Sequence, residues 1–277
     1  MSSLPVLGVI GCGNMGSAIL KGLGSLDQAL FSLVAFDRNQ HKLEALRPLG
    51  VKGTSSMAEL VKVSDWLIFA IKPQQLLSVL ESLGESLKDK VIVSIAAGVS
   101  LNALEKASCN NTVVFRVMPN TPATVGEGVF AICYDESKIS EIQKKVIVDL
   151  FNSLGRAVIL PEAKFNAFSA LIGCGPAYVF YQMEALVEAG VSLGLSRAES
   201  TLMVVDLFYG SVVLAKESGK HLSVLREEVC SPGGMTIAGI NKFDSDGIKG
   251  KLIEAVFAAY QKGKKMEEDS AKESQKG

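Results

Sequence analysis

The chain has 277 residues, 48% apolar and 21% charged, and 28 Lys+Arg against 29 Asp+Glu give a formal net charge of −1. That length supports one or two packed cores, and a balanced charge with no basic stripe argues against nucleic acid as a partner. Mean hydropathy is +0.30, yet the apolar runs extend only about five to eight residues, against the roughly 20 needed to span a bilayer.

Taken in chain order, the first 160 residues alternate short apolar strands with amphipathic helices. Residues 4–10 read as a strand and 15–26 as its helix, entered from a glycine loop. Residues 32–36 form the next strand, ending at Asp37. Residues 40–49 are helical, with Leu43, Leu46 and Leu49 on one face. Ser56 and Glu59 form a capping box that opens a short helix. Residues 66–70 are a strand, and Pro73 starts the helix after it. Residues 91–95 are a strand, and Ser100 can cap the following helix. Residues 112–118, 129–134 and 156–160 are further strands, with a long helix near 139–154. This alternation predicts an α/β fold with a Rossmann-type doubly wound sheet.

Beyond Pro161 the strand-like runs stop. Residues 165–172, 177–193, 198–217 and 252–265 read as helices, and Ser196 with Glu199 forms another capping box. The stretch 177–214 is apolar on more than one face, so it must be buried on all sides. Packing against another subunit is the simplest way to do that, and an obligate oligomer is expected. The domain expectation is therefore 1–160 for the α/β sheet, 161–265 for an all-α dimerisation domain, and 266–277 for a polar, disordered tail.

Five cysteines (Cys12, Cys109, Cys133, Cys174, Cys230) show no C-x-x-C spacing. They read as reduced, mostly buried residues of an intracellular protein. His41 and His221 lie far apart, with no partner at metal-ligand spacing, so no metal is expected. The start, Met1-Ser2-Ser3-Leu4-Pro5, has no basic segment of a signal peptide, and a cytoplasmic location is expected.

Three apolar strands end in small-residue stops: Gly11-Cys12-Gly13-Asn14-Met15-Gly16, Ala70-Ile71-Lys72-Pro73, and Ala96-Ala97-Gly98. In an open α/β sheet such ends align along one edge, where ligands bind. Gly11-x-Gly13-x-x-Gly16 follows a strand and opens a helix. Gly11 makes the turn, Gly13 admits a pyrophosphate to the backbone, and Gly16 allows close helix–sheet packing. Asp37 lies 21 residues after Gly16. A carboxylate there bonds the adenosine 2′-hydroxyl and favours NAD, whereas Arg38 beside it can pair with a 2′-phosphate and favours NADP. Both cofactors stay open at this point, and Ser55 and Ser56 are within reach of the same region.

Together these segments resemble the pyrroline-5-carboxylate reductase family. The resemblance also rests on Met118-Pro119-Asn120-Thr121-Pro122, on Gly173-Cys174-Gly175-Pro176-Ala177-Tyr178 and on Ser231-Pro232-Gly233-Gly234-Met235-Thr236. The segments occur in the family's order and span nearly the whole chain. The resemblance implies reduction of (S)-1-pyrroline-5-carboxylate to L-proline with NADPH or NADH, NADPH being favoured. It implies that Ile10, Gly11, Cys12, Gly13, Asn14 and Met15 wrap the pyrophosphate, and that Ala70, Ile71, Lys72 and Pro73 with Ile95, Ala96 and Ala97 line the nicotinamide half. Asn120 would face the nicotinamide or substrate. Ser231, Gly233, Gly234, Met235 and Thr236 would hold the substrate, in interlocked homodimers that assemble further, to a decamer.

Elementary chemistry supports the last assignment. Gly233 and Gly234 at a helix start expose N–H groups suited to a carboxylate. Thr236, one turn in, can present its hydroxyl to the ring nitrogen and is the catalytic candidate. Two positions depart from the family's pattern: Met235 stands where Thr is usual, and Leu222 where Pro is usual. His221 reads as a structural contact. The alternatives are a related imine or β-hydroxyacid-type reductase, disfavoured because no Lys follows in the helix after Pro176, and a non-catalytic dinucleotide-binding regulator.

Overall fold

A computed structural model describes residues 4–108 and 112–273. Cys109 and residues 274–277 of the expected tail lie outside the described residues. The chain divides into two compact units, 1–174 with 260–277, and 175–259.

The first unit is built on eight strands: β1 (Val6–Ile10), β2 (Ser32–Phe36), β3 (Lys52–Gly53), β4 (Trp66–Phe69), β5 (Val91–Ser94), β6 (Val113–Met118), β7 (Gly128–Tyr134) and β8 (Gly155–Ile159). They form one sheet in the order β3-β2-β1-β4-β5-β6-β7-β8. All neighbouring pairs are parallel except β6 with β7. The short apolar runs predict every strand but β3. That edge strand has two residues, too few to show a period of two.

Alternation along each strand fills both faces. Leu7, Val9, Trp66, Ile68, Phe115, Phe130 and Ile132 point into one core. Ile10, Leu67, Phe69, Ile92, Val114 and Ala131 point into the other. A parallel sheet needs helices on both faces for this reason. On the first face Phe31, Trp66, Phe115 and Tyr134 pack in series, edge-on, stacked and edge-on, with ring centroids 6.0, 6.0 and 5.4 Å apart. Each contact adds about 0.5–1.5 kcal/mol beyond simple burial.

The helix caps follow the sequence. Ser56 accepts the N–H of Glu59, and Ser100 that of Ala103. Ser140 and Gln143 form a full capping box ahead of Glu141–Asn152. Thr112, the first residue of an expected strand, precedes β6 instead.

Residues 161–174 pack with the sheet rather than apart from it, because Phe165 and Phe168 are buried in the second core. The expected boundary at 160/161 therefore falls inside the first compact unit. The last helix, Ile248–Glu273, runs through most of the expected polar tail. Its far end is held by charge. Arg116, on β6 and only 3% exposed, donates to Glu162 at 2.6 Å and pairs with Glu267 at 3.5 Å. Its guanidinium sits 4.7 Å from the Phe165 ring centre. Glu162 also accepts the N–H of Leu101 at 2.6 Å, and Asn166 donates to Glu267 at 2.7 Å.

The second unit is helical: Gly175–Ser192, Arg197–Ser218, Leu222–Glu228 and Met235–Ser245, with the first part of Ile248–Glu273. Ser196 and Glu199 form the expected capping box. Leu202, Leu207, Tyr209, Val212 and Leu214 are all more than half exposed. Within the single chain, the apolar faces of 177–214 are thus uncovered. The expectation that no segment reaches spanning length needs correction here. Arg197–Ser218 has 22 residues and a mean hydropathy of 1.4 over its most apolar window. Asp206 and Gly210 interrupt its apolar runs without lowering the average enough, so run length understated it.

Arg116→Ala should lower the free energy of unfolding by about 2–3 kcal/mol. That is below the roughly 3–5 for a fully buried pair, because Glu162 and Glu267 keep a third of their surface in water. Urea denaturation reads this directly, and a change under about 0.5 kcal/mol, typical of an ordinary surface substitution, would show that the network does not hold the fold.

Candidate cofactor and substrate sites

Parallel pairing in register brings four strand ends to one line. Ile10 pairs with Phe36 and with Phe69, and Phe69 pairs with Ser94. The ladder continues one residue past each end: Gly11 N–H donates to Phe36 O at 2.8 Å, Ala70 N–H to Ile10 O at 2.8 Å, and Ile95 N–H to Phe69 O at 3.3 Å. This collects Gly11 to Met15, Asp37, Ala70 to Pro73 and Ile95 to Ala97 along one edge. The strand order reverses between β1 and β4, the position where open α/β sheets take their ligands.

Each glycine of the loop has its own reason. Gly11 has φ +97°, and a Cβ there would lie 2.6 Å from Ala70 O. A Cβ on Gly16 would meet Gly11 O at 2.0 Å. Around Gly13 there is nothing within 4 Å of where a Cβ would stand. Gly11 and Gly16 are required by the fold itself, whereas Gly13 keeps open a space that the fold leaves empty. Gly13 is also the N-cap of Asn14–Gly24, and no side chain caps that helix. Its first-turn N–H groups therefore lack the usual side-chain acceptor, next to the open space. An anion fits there by charge and by room.

The Asp37 carboxylate accepts the N–H of Cys12 at 2.7 Å and that of Asn39 at 2.9 Å, with Lys42 Nζ 3.4 Å away. Burial pushes its pKa up, but those two N–H groups and Lys42 outweigh burial and hold it below the usual carboxylate value. The Cys12 thiol is buried, and burial, then the Asp37 charge, raises it to about 11. It is a packing residue, not a thiolate. Arg38 is exposed. Ser55 is committed to Glu59, to which it donates through N–H and hydroxyl at 2.8 and 2.7 Å. Lys72 is the exposed N-cap of Pro73–Leu83.

Asn120 holds two structural hydrogen bonds. Expected to face nicotinamide or substrate, it is 8% exposed. Its carbonyl accepts Val129 N–H at 2.8 Å and its amide donates to Ile172 O at 3.3 Å. The reason is the end of β6: the last residue paired with β7 is Met118, opposite Ala131. The N–H of Val129 beyond it needs an acceptor, and Asn120 provides one.

The loop containing Ser231, Pro232, Gly233, Gly234 and Met235 belongs to the second unit. Gly233 has φ +70°, a conformation glycine adopts at little cost. Gly234 N–H donates to Ser231 O at 3.0 Å, closing a turn. Gly234 is then the N-cap of Met235–Ser245, again with no side-chain cap. Ser231 and Thr236 are exposed, and Met235 is 94% exposed. His221 has the expected structural role: it caps Leu222–Glu228, and its Nδ1 lies 2.7 Å from Ser223 Oγ. Of the cysteines, Cys12 and Cys133 are buried as expected, Cys174 is exposed and Cys230 intermediate. Among the described residues no cluster suits a metal ion. The Arg116–Glu162–Glu267 network has no signature in the sequence, because residues so far apart carry no local signal of pairing.

A doubly wound sheet with a glycine loop at its switch point, followed by a helical region, defines a dinucleotide-binding oxidoreductase. The comparisons narrow the class. Residues 162–266 match the family model for pyrroline-5-carboxylate reductase dimerisation. Residues 6–98 match that for NADP oxidoreductase coenzyme F420-dependent proteins. Pyrroline-5-carboxylate reductase of Arabidopsis thaliana is 34% identical over 94% of this chain and 95% of its own length. That of Escherichia coli is 33% identical over 94% and 97%. The crystal structure of a Plasmodium falciparum pyrroline carboxylate reductase with NADP bound superposes with a TM-score of 0.86 at 33% identity, covering 95% of this chain and 98% of that one. The chain belongs to the pyrroline-5-carboxylate reductase family.

Gly13→Val should raise the dissociation constant of a reduced dinucleotide by at least about tenfold while leaving the thermal midpoint within a few degrees. Fluorescence titration beside a melting curve checks both. Unchanged affinity would show that the space at Gly13 is not a binding space.

Proposed function

We propose that this protein reduces (S)-1-pyrroline-5-carboxylate to L-proline with NADPH or NADH, the last step of proline biosynthesis. The observation that carries this reading is end-to-end similarity to pyrroline-5-carboxylate reductases; the two uncapped glycine-bearing helix starts of this chain, at Gly13 and Gly234, suit two anionic groups. Bound NADPH or NADH would supply the hydride that adds to the imine carbon, C2 of the pyrroline ring and C5 of the proline formed.

The chain's own residues bind and orient. The loop from Ile10 to Met15 takes the pyrophosphate on the first-turn N–H groups of Asn14–Gly24. Ala70 to Pro73 and Ile95 to Ala97, at the neighbouring strand ends, line the nicotinamide half. The turn at Gly233 and Gly234 takes the substrate carboxylate on backbone N–H groups, with Ser231 adding a hydroxyl donor. Met235 contributes only its N–H there. Thr236 donates its hydroxyl toward the ring nitrogen and orients it. The imine is basic enough to be partly protonated near neutral pH, so no strong acid is required. That agrees with a loop holding neither His nor Lys. Holding two rings at reacting distance accounts for most of the rate gain expected of such a site.

The family's dimerisation domain covers the helices whose apolar faces the single chain leaves exposed. A homodimer through this region, assembling further to a decamer in the cytoplasm, follows on this reading. Light scattering should return a mass at least twice the 29.4 kDa of the chain; a monomer at micromolar concentration would remove the dimer.

Thr236→Ala should lower kcat/KM for the imine by at least about tenfold, the scale of one 1.4 kcal/mol interaction in the transition state. The assay is imine-dependent oxidation of NADPH and of NADH. Wild-type turnover in the variant would remove Thr236 from the mechanism. Dinucleotide binding with no imine turnover in the wild type would favour the regulator instead.

A further inference from the structure

One carboxylate oxygen joins two elements outside the binding edge. Oε1 of Glu162 accepts the N–H of Leu101 at 2.6 Å and a guanidinium N–H of Arg116 at 2.6 Å. Leu101 is the first residue of the helix Leu101–Ala107, whose N-cap Ser100 already accepts the N–H of Ala103. Glu162 therefore serves a donor that the serine leaves over, and its negative charge suits that end of a helix. Its own partner is rigid: Arg116 is 3% exposed, lies 4.7 Å from the Phe165 ring centre and also pairs with Glu267. In the sheet Arg116 stands opposite Ser94, level with the strand end that leads into Ile95, Ala96 and Ala97.

The segment from Ile95 to Ser100 is loosely held at its start. Ile95 N–H reaches Phe69 O at 3.3 Å and Ala96 N–H reaches Ser94 Oγ at 3.3 Å, both longer than the usual distance of about 2.9–3.0 Å. Gly98 then turns at φ +76°, with nothing within 4 Å of where a Cβ would stand. The short bond at Leu101 closes the far end. We infer that Glu162, held by Arg116, is a positioning residue for hydride transfer: it fixes the 95–100 segment from behind, and with it the wall of the nicotinamide half. It acts through Leu101 and touches no reacting atom. Loss of Glu162 therefore loosens the nicotinamide half while the adenosine half, at the glycine loop and the end of β2, keeps its own backbone bonds.

This assignment rests on the reading that Ile95 to Ala97 line the nicotinamide half, and the experiment separates the two. NADPH and ADP-ribose 2′-phosphate, which lacks only the nicotinamide, are titrated into the full-length wild type, Glu162→Ala, Glu162→Gln and Glu105→Gln. Amide exchange of the ligand-free proteins and imine turnover are measured alongside. Glu162→Ala should weaken NADPH by roughly tenfold, the scale of a lost charged hydrogen bond, and the nicotinamide-free fragment by less than about twofold. It should speed exchange at Leu101, as expected of local opening, and lower kcat by at least about tenfold, as misplaced reactants do. Glu162→Gln keeps a neutral acceptor for Leu101 and should show the same selectivity with a smaller loss, about threefold. It carries the test should Glu162→Ala fail to fold. Glu105→Gln removes a different carboxylate of the same helix, paired with Lys138 at 2.8 Å, and should leave both ligands at wild-type affinity. Equal loss of both ligands or no loss in the Glu162 variants, or a selective loss in Glu105→Gln, would each overturn the assignment. A wild type that binds the fragment and NADPH equally would overturn the nicotinamide reading along with it.

Discussion

The parallel register of β1 against β2 and β4 is the constraint on which the rest of the first unit depends. Because Ile10 stands opposite both Phe36 and Phe69, three strands stop at the same level. The hydrogen bond from Gly11 N–H to Phe36 O is then the last rung of the ladder. Past it the chain must turn over Ala70, whose carbonyl leaves no room for a Cβ. A slip of one residue in this register would turn every core side chain to the opposite face and would move the glycine loop off the edge. Fold stability and the open anion position therefore rest on the same backbone bonds.

Two helix starts without a side-chain cap, at Gly13 and Gly234, contrast with the well-capped helices at Ser56, Ser100, Ser140 and Ser196. A glycine start forgoes only a few tenths of a kcal/mol relative to a Ser or Asp cap, and it leaves N–H groups for a ligand. The two glycine starts lie in the motifs that resemble the family's cofactor and substrate loops; Pro73–Leu83 also begins without a side-chain cap, at Lys72.

Much of the fold was legible because it is written locally. Strands of four to seven residues with Gly, Pro or Asp at their ends show as short apolar runs, and the capping boxes show as Ser-x-x-Glu or Ser-x-x-Gln. The glycine loop was legible for the same reason. Less visible were features set by packing. β3 is too short to have a pattern. Residues 161–174 look like the start of a helical domain, yet Phe165 and Phe168 belong to the sheet's core. Glu267, in a segment that reads as a solvated tail, meets Arg116 151 residues away.

The amino-acid sequence by itself determined the class of the protein, its motif order and the two candidate binding loops, because turn chemistry, caps and hydrophobic period act over a few residues. Only the tertiary structure decided which backbone N–H groups Asp37 and Asn120 pair with. In sequence each is a polar residue at a strand end, suited to face a ligand. In the folded chain each lies beside a backbone N–H that burial would otherwise leave unpaired, Cys12 for Asp37 and Val129 for Asn120. An unmade buried hydrogen bond costs about 1–3 kcal/mol, and that cost turns both side chains inward.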